Sequence, residues 1–256
     1  MQLLKLIFFP ILLLIQVLYF LVIFLRNILY DYNILTTNHF QINIISIGSL
    51  KLGGAGKTPL LEYIIKHFSG KKIAVLSRGY GRKTKGFLIA NPKKSSQEIG
   101  DEARQIIHKN PNLLLGIDTD RSRGVKQLIK QKKPIQAIIL DDAHQHRKIG
   151  RNLNILVTEY QKLYSKDKLL PLGHLREYKN GAKRGQIIVV TKCPEKISLN
   201  RKQKIKRSLS LNKNQMIFFS NIKYKKIVNC STQKSIKLNK TKKYFLLTGI
   251  ANADPL

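Results

Sequence analysis

Residues 42–60 read INIISIGSLKLGGAGKTPL, and this stretch decides how the rest of the chain is read. It opens on β-branched apolar residues, passes through a glycine-rich turn and ends in Gly56-Lys57-Thr58. That order predicts a strand, a loop that wraps an anion, and the start of a helix. Glycines let the backbone turn tightly enough for successive N–H groups to converge on one anion. The helix that follows aims the positive end of its dipole at the same point. Gly53, Gly54, Ala55, Gly56, Lys57 and Thr58 are therefore the expected phosphate-binding residues. Lys57 can reach the outer phosphates of a nucleotide, and the Thr58 hydroxyl can ligate Mg2+. The spacing departs from the usual G-x-x-x-x-G-K-[ST], because Lys51 stands where the first glycine belongs.

Upstream, residues 6–25 carry no charge and are interrupted only by Pro10 and Gln16. As a helix this run would measure roughly 30 Å, the thickness of a bilayer core. Its length and the lack of a small-residue cleavage site argue against a cleaved signal. Spanning the membrane and lying in its interface fit the composition alike, and Lys5 and Arg26 flank both ends.

Downstream, residues 72–76 form a short apolar strand that runs into Ser77-Arg78-Gly79-Tyr80-Gly81-Arg82. Arginines in a glycine loop after a strand suit a phosphate at the carboxyl edge of a sheet. Gly100-Asp101-Glu102 opens a helix, where acidic residues also serve as caps. Residues 112–117 read as a strand, and Asp118 to Arg123 open another helix that carries Arg121. Residues 134–140 are an apolar strand ending in Asp141-Asp142, carboxylates placed to hold Mg2+. His144 and His146 follow, but an oxygen-rich set beside a phosphate loop favours Mg2+ over a transition metal. Further strands are expected at 152–157 and 185–191, separated by the loop LLPLGHLRE at 169–177 with Arg176 and Glu177. Residues 195–213 read as a lysine-rich helix, 215–228 as extended, and 244–250 as a last apolar strand. Strands alternating with helices predict an α/β fold, a parallel sheet with helices on both faces.

The chain has 47 basic and 14 acidic residues in 256, a formal charge of +33. Such an excess admits nucleic acid, anionic lipid or a phosphorylated substrate as partner. The lysines are scattered, however, and are densest at 202–243, far from the loop. Cys193 and Cys230 form no C-x-x-C pair, so neither a zinc site nor a disulfide framework is indicated.

Together LRNILYD (25–31), IGSLKLGGAGKTP (47–59), SRGYGR (77–82), GDEA (100–103), DR (120–121), LDDAHQH (140–146), LPLGHLRE (170–177) and LTGIANADP (247–255) resemble the lipid A 4′-kinase (tetraacyldisaccharide 4′-kinase) family. That family's loop also lacks the usual first glycine. The resemblance implies a P-loop NTPase-like kinase that uses ATP and Mg2+. Its acceptor would be an acylated disaccharide 1-phosphate lipid, met at the cytoplasmic face of the bacterial inner membrane by a monomer. It implies that Asp101 helps deprotonate the sugar hydroxyl and that Lys57 stabilises phosphate charge. It places Thr58, Asp141, Asp142 and Glu177 around the metal, and Arg78, Arg121 and Arg176 on phosphate or substrate. The organisation expected is an N-terminal membrane helix (1–28), a kinase core (29–195), and linker strands with the start of a second, incomplete α/β lobe (196–256).

Three departures stand out. Ala143 replaces a glycine, which would cost about 1 kcal/mol if that position needed a positive φ. His144 replaces an apolar or aromatic residue, and Ala253-Asp254 precede the final proline. The family also continues past this point, with an Asp-His-His motif whose histidine partners the Asp101 position; the resemblance thus implies either a fragment of a longer chain or a truncated gene product whose activity would be in question. Two other readings compete: a catalytically dead ATP-binding membrane protein, and a basic P-loop protein that binds nucleic acid. The second leaves the Gly-Asp-Glu, Asp-Asp and Leu-Arg-Glu motifs without a role, so no nucleic acid is expected.

Overall fold

Strands rich in Ile, Val and Leu, apolar on both sides, must be covered on both sides. The computed structural model describes residues 2–68, 70–223, 227–229, 231–232, 234–237 and 243–245, with side chains from residue 8. It forms a sheet of β1 (Asn43–Gly48), β2 (Ile73–Ser77), β3 (Leu88–Ile89), β4 (Leu114–Ile117), β5 (Ala137–Asp141), β6 (Leu153–Glu159), β7 (Ile187–Cys193) and β8 (Met216–Asn221). The spatial order is β3-β4-β2-β5-β1-β6-β7-β8. The ladders are parallel except that of the short β3, which is antiparallel to β4.

Alternation along each strand divides the core. On one face Ile47, Val75, Ile139, Val157 and Val189 pack with α2 (Lys57–His67) and α4 (Asp101–Lys109), through Leu61, Ile65, Ile106 and Ile107. Over half of the other face, Leu76, Ile138 and Leu140 pack with Val125 and Leu128 of α5 (Arg121–Ile129). Over the remaining half, Leu156, Ile188 and Val190 pack with Ile205 and Leu209 of α6 (Leu199–Leu209). The expected parallel α/β sheet with helices on both faces is therefore present. The short α3 (Ser96–Ile99), closed by a Ser95–Glu98 capping box, leads directly into α4.

The apolar N-terminal run is one helix, α1 (Gln2–Asp31). Its segment Phe8–Asp31 is long and apolar enough to cross a membrane, judged by length and composition. Most of its apolar side chains are exposed, but Tyr19 and Phe20 pack against the α6-side core. Helix α1 runs past the boundary expected at residue 28. The break expected at 195 also falls inside the sheet, because β8 joins β7 in parallel through Met216 to Phe219. Backbone hydrogen bonding to an open strand edge makes this region an extension of the first sheet. The strand expected at 244–250 and the motif at 247–255 lie almost entirely outside the described residues.

The path of the chain positions the site. From β1 it moves outward to β2, β3 and β4, returns at β5 beside β1, and continues to β6 on the other side of β1. The direction of winding thus reverses around β1. Ligands of such sheets sit outside the carboxyl ends of the strands at this reversal.

Candidate active site

The glycine loop leaves the carboxyl end of β1. Gly53 and Gly56 have φ of 92° and 84°, and Gly56 is the N-cap of α2. No side chain caps this helix, so its first amides are left for a ligand. The first part of the loop is not a glycine turn. The Leu52 N–H donates to His174 O (2.8 Å), the Arg176 N–H donates to Leu50 O (2.7 Å), and Lys51 bridges Leu175 in antiparallel fashion. The Lys51 ammonium turns away to Asp167, 2.5 Å off. This local pairing takes the place of the missing first glycine and fastens the Leu-Arg-Glu segment to the loop.

Asp141 and Asp142 end β5, next to β1. Asp142 has a φ of 45°, and the Lys57 ammonium lies 3.5 Å from its Oδ1. Arg176 Nη1 donates to its Oδ2 at 2.9 Å. Ala143 is not among the residues of positive φ, so the strain foreseen for it falls one position earlier, at Asp142. Asp141 is buried and accepts from the Ser77 hydroxyl at 3.2 Å. Burial, together with Glu102 and Asp142, pushes its carboxyl up to about 6, against the pull of Arg121 and Lys57.

These residues fit Mg2+. Asp142 Oδ1 is buried and accepts no hydrogen bond, with only the Lys57 ammonium 3.5 Å away, so it keeps a lone pair that a cation can take. Among the described residues no three His, Cys, Asp or Glu side chains group into a metal cage. Mg2+ commonly takes one or two carboxylates and completes its octahedron with water and phosphate oxygens.

Glu177, expected near the metal, is engaged otherwise. It is buried, and both oxygens accept from Arg184 Nη2 at 2.7 Å. Gln145 donates to it at 3.1 Å and Asn27 of α1 at 3.3 Å. Burial pushes its pKa up, but the charge of Arg184 and the hydrogen bonds from Arg184 and Gln145 outweigh that and hold it below the usual carboxylate range. A metal here would have to displace partners that already saturate the carboxylate.

Arg121, expected on phosphate, is also engaged. Its guanidinium is buried and donates to Asp118 O at 2.7 Å and Asp141 O at 2.8 Å, with Nε left unpaired. It ties the ends of β4 and β5 together, and burial lowers its pKa to about 10. Arg78 is exposed and makes no hydrogen bond or ion pair among the described residues. Asp101 opens α4, exposed and likewise without a hydrogen bond.

A backbone contact joins the Arg78 and Asp101 loops. Gly100 has φ 88°, and a Cβ there would stand 2.7 Å from Tyr80 O and 2.9 Å from Gly79 C. Two glycines, one from each loop, thus allow the main chains to touch and bring Arg78 and Asp101 to one rim.

His144 lies fully buried under the loop, and a Cβ on Gly48 would be 2.5 Å from its Cβ. Its Nε2 is 3.0 Å from Gly181 O, which can only accept, so Nε2 carries the proton and Nδ1 accepts from the Asn154 amide at 3.1 Å. Burial and Arg184 depress its pKa to about 4. His146 is likewise lowered to about 4 by burial and by Arg121, Arg151 and Arg78. Both histidines are neutral parts of the scaffold.

Sequence reading missed Ser77, Gln145 and Asn27. Gln145 donates to Ser49 O at 2.9 Å as well as to Glu177, linking the loop to the Leu-Arg-Glu segment. The available signal was membership of the motifs at 25–31, 77–82 and 140–146 that carry the resemblance.

Residues 8–256 match the family model described as tetraacyldisaccharide-1-P 4′-kinase. A tetraacyldisaccharide 4′-kinase of Flavobacterium johnsoniae is 41% identical over 257 residues, covering 100% of this chain and 74% of that protein. One from Parabacteroides distasonis is 41% identical over 240 residues, covering 90% of this chain and 65% of that protein. Among solved structures, LpxK from Aquifex aeolicus in complex with ATP superposes with a TM-score of 0.69 at 33% identity. That match covers 82% of this chain and 64% of the other.

Proposed function

The chain belongs to the tetraacyldisaccharide-1-P 4′-kinase family, and on that premise we propose that it transfers the γ-phosphate of ATP to the 4′-hydroxyl of an acylated glucosamine disaccharide 1-phosphate, a step of lipid A biosynthesis. The observation that carries this reading is Asp142, which holds Lys57 and Arg176 together at the mouth of an uncapped helix N-terminus. Two cations and a row of free amides suit the outer phosphates of a nucleotide. When phosphate enters, Lys57 and Arg176 exchange part of their contact with Asp142 for phosphate oxygens.

Thr58, Asp141 and Asp142 are the side chains that would hold Mg2+, which supplies charge neutralisation for the phosphates. Asp101, exposed at the rim, accepts the proton of the 4′-hydroxyl. The sugar oxygen forms its bond to the γ-phosphorus while the bond to the β-γ bridging oxygen breaks, and ADP leaves. Arg78, unpaired on the same rim, steadies the anionic acceptor. Such catalysis is chiefly positioning and charge stabilisation.

Helix α1 supports a lipid acceptor. The Tyr19 hydroxyl donates to Arg176 O at 2.5 Å, and Arg26 and Asn27 reach Gln145 O and Glu177 at 3.3 Å each. An apolar helix fastened beside the phosphate site keeps that site at the cytoplasmic surface of the inner membrane, where the acceptor resides.

The test is transfer of label from γ-labelled ATP to tetraacyldisaccharide 1-phosphate by the full chain in detergent. Asp101→Asn should lower turnover by on the order of 100-fold with ATP affinity nearly unchanged. Intact ATP binding without transfer in the unmodified chain would leave a nucleotide-binding membrane protein in place of a kinase. Tight, salt-dependent DNA binding without any effect of lipid would favour the nucleic-acid reading.

A further inference from the structure

Thr191 lies 133 residues beyond Thr58 in the sequence, on β7, and carries none of the motifs that mark the site. Its side chain is nevertheless buried beneath the glycine loop. Thr191 Oγ1 is 2.7 Å from Ala55 O and 3.3 Å from Thr158 O. A hydroxyl has one proton to give, and the shorter, better contact assigns it to Ala55 O. A Cβ built on Gly56 would meet Thr191 Oγ1 at 3.2 Å, Cβ at 3.3 Å and Cγ2 at 3.4 Å. Thr191 therefore both accepts the weight of the loop by packing and ties down one of its carbonyls.

The strand is shaped for this. Register shifts between Val190 and Cys193, and Lys192 has a φ of 53°. A bulge re-aims the side chains beside it. The Lys192 ammonium lies 3.3 Å from Glu159, and the Tyr160 N–H donates to Thr191 O at 2.9 Å, which fixes the bulge to the end of β6.

We propose that Thr191 is a positioning residue for phosphate binding: by holding the Ala55 carbonyl toward β7, it aims the Gly56 N–H at the phosphates. The reason is peptide geometry. In a planar trans peptide the C=O and the following N–H point in opposite directions. Fixing the Ala55 oxygen to Thr191 turns the Gly56 N–H away from the sheet, and that N–H has no acceptor among the described residues. The left-handed φ of Gly56 then leads straight into the first turn of α2. This inference rests on the nucleotide-binding reading above and adds a residue to it.

Three variants of the full chain in detergent test it, with ATP affinity by calorimetric titration and stability by thermal melting. Thr191→Val keeps the shape and removes the hydroxyl; it should weaken ATP about tenfold, the worth of one misaimed charge-assisted hydrogen bond. Thr191→Ser keeps the hydroxyl and should bind within about twofold of the unmodified chain. If Thr191→Val fails to fold, Thr191→Ala replaces it, since Ser and Ala both lack the methyl and only Ser has the hydroxyl. Equal affinity in the Val (or Ala) and Ser variants overturns the proposal, as does a loss of affinity in Ser matching that in Val. Failure of the unmodified chain to bind ATP would instead sink the nucleotide reading itself.

Discussion

Gly100→Ala is expected to separate two loops that sequence places twenty residues apart. The backbone there has φ 88° and ψ 154°, a region almost reserved for glycine, and an alanine in it costs about 1–3 kcal/mol. The new methyl would stand 2.7 Å from Tyr80 O and 2.9 Å from Gly79 C. Both are main-chain atoms, so no side-chain rotation relieves the overlap, and overpacking adds about 1–3 kcal/mol. The total of about 2–6 kcal/mol corresponds, at about 2–4 °C per kcal/mol for a domain of this size, to a fall in Tm on the order of 10 °C. Gly81→Ala is the control. Gly81 also has a positive φ, 78°, but a Cβ there meets nothing within 4 Å. It should lose only the backbone part, about 1–2 kcal/mol and a few degrees. Melting followed by far-UV circular dichroism compares the two variants directly. Equal shifts would refute the idea that main-chain contact between Gly79 and Gly100 holds the Arg78 and Asp101 loops together.

Without Mg2+, acid stability should show two opposed protons. His144, held near 4 against 6.5 when unfolded, contributes stability that is present above pH 6.5 and lost as pH falls through 4, about 3 kcal/mol. Asp141, raised from 3.8 to about 6, contributes stability present below pH 3.8 and lost as pH rises through 6, also about 3 kcal/mol. In denaturant titrations His144→Gln should make stability fall more steeply with rising pH between 4 and 6, and Asp141→Asn should make it rise; slopes of the same sign in both would contradict the assignment. Glu177→Gln breaks a buried pair whose arginine keeps some access to water, and should cost about 2–4 kcal/mol in the same titration. Unchanged stability with lost Mg2+ dependence would return Glu177 to the metal. Removing residues 1–28 should release the chain from lipid vesicles and also lower turnover in detergent, because the Tyr19 and Asn27 hydrogen bonds go with it; removing only 1–14 should affect vesicle binding alone, and equal turnover losses from the two deletions would contradict this.

Six strands, β1, β2 and β4 to β7, were legible because each is a short apolar run, and the loops after several of them because Gly, Asp or Arg follows at once; β3, two residues long, gave no such run. This is how Lys57 and Asp142 were singled out from sequence, whereas Arg176 came only with the family resemblance. Arg121 was expected to face ligand from its residue type and Glu177 from the resemblance, yet burial gave them partners within the protein. Residue type records the charge of a side chain and not what the fold sets opposite it. The β8 pairing was missed because a strand edge carries no mark of which sheet it will join. The Gly79–Gly100 contact was also hidden, since each glycine alone reads as an ordinary turn.

The glycine loop is complete in sequence by Thr58, yet almost nothing that fixes its shape has been synthesised by then. Its supports are Gln145, His174, Arg176 and Thr191, all more than eighty residues later. On the ribosome, the apolar helix and the loop emerge first and must wait for β7. Contacts of such long sequence separation form late and slowly, and exposed apolar surface during the wait invites aggregation. Capture of α1 by a membrane while the rest of the chain is still being made would remove that hazard. It would also let the nucleotide site close last, on a chain whose first helix is already held.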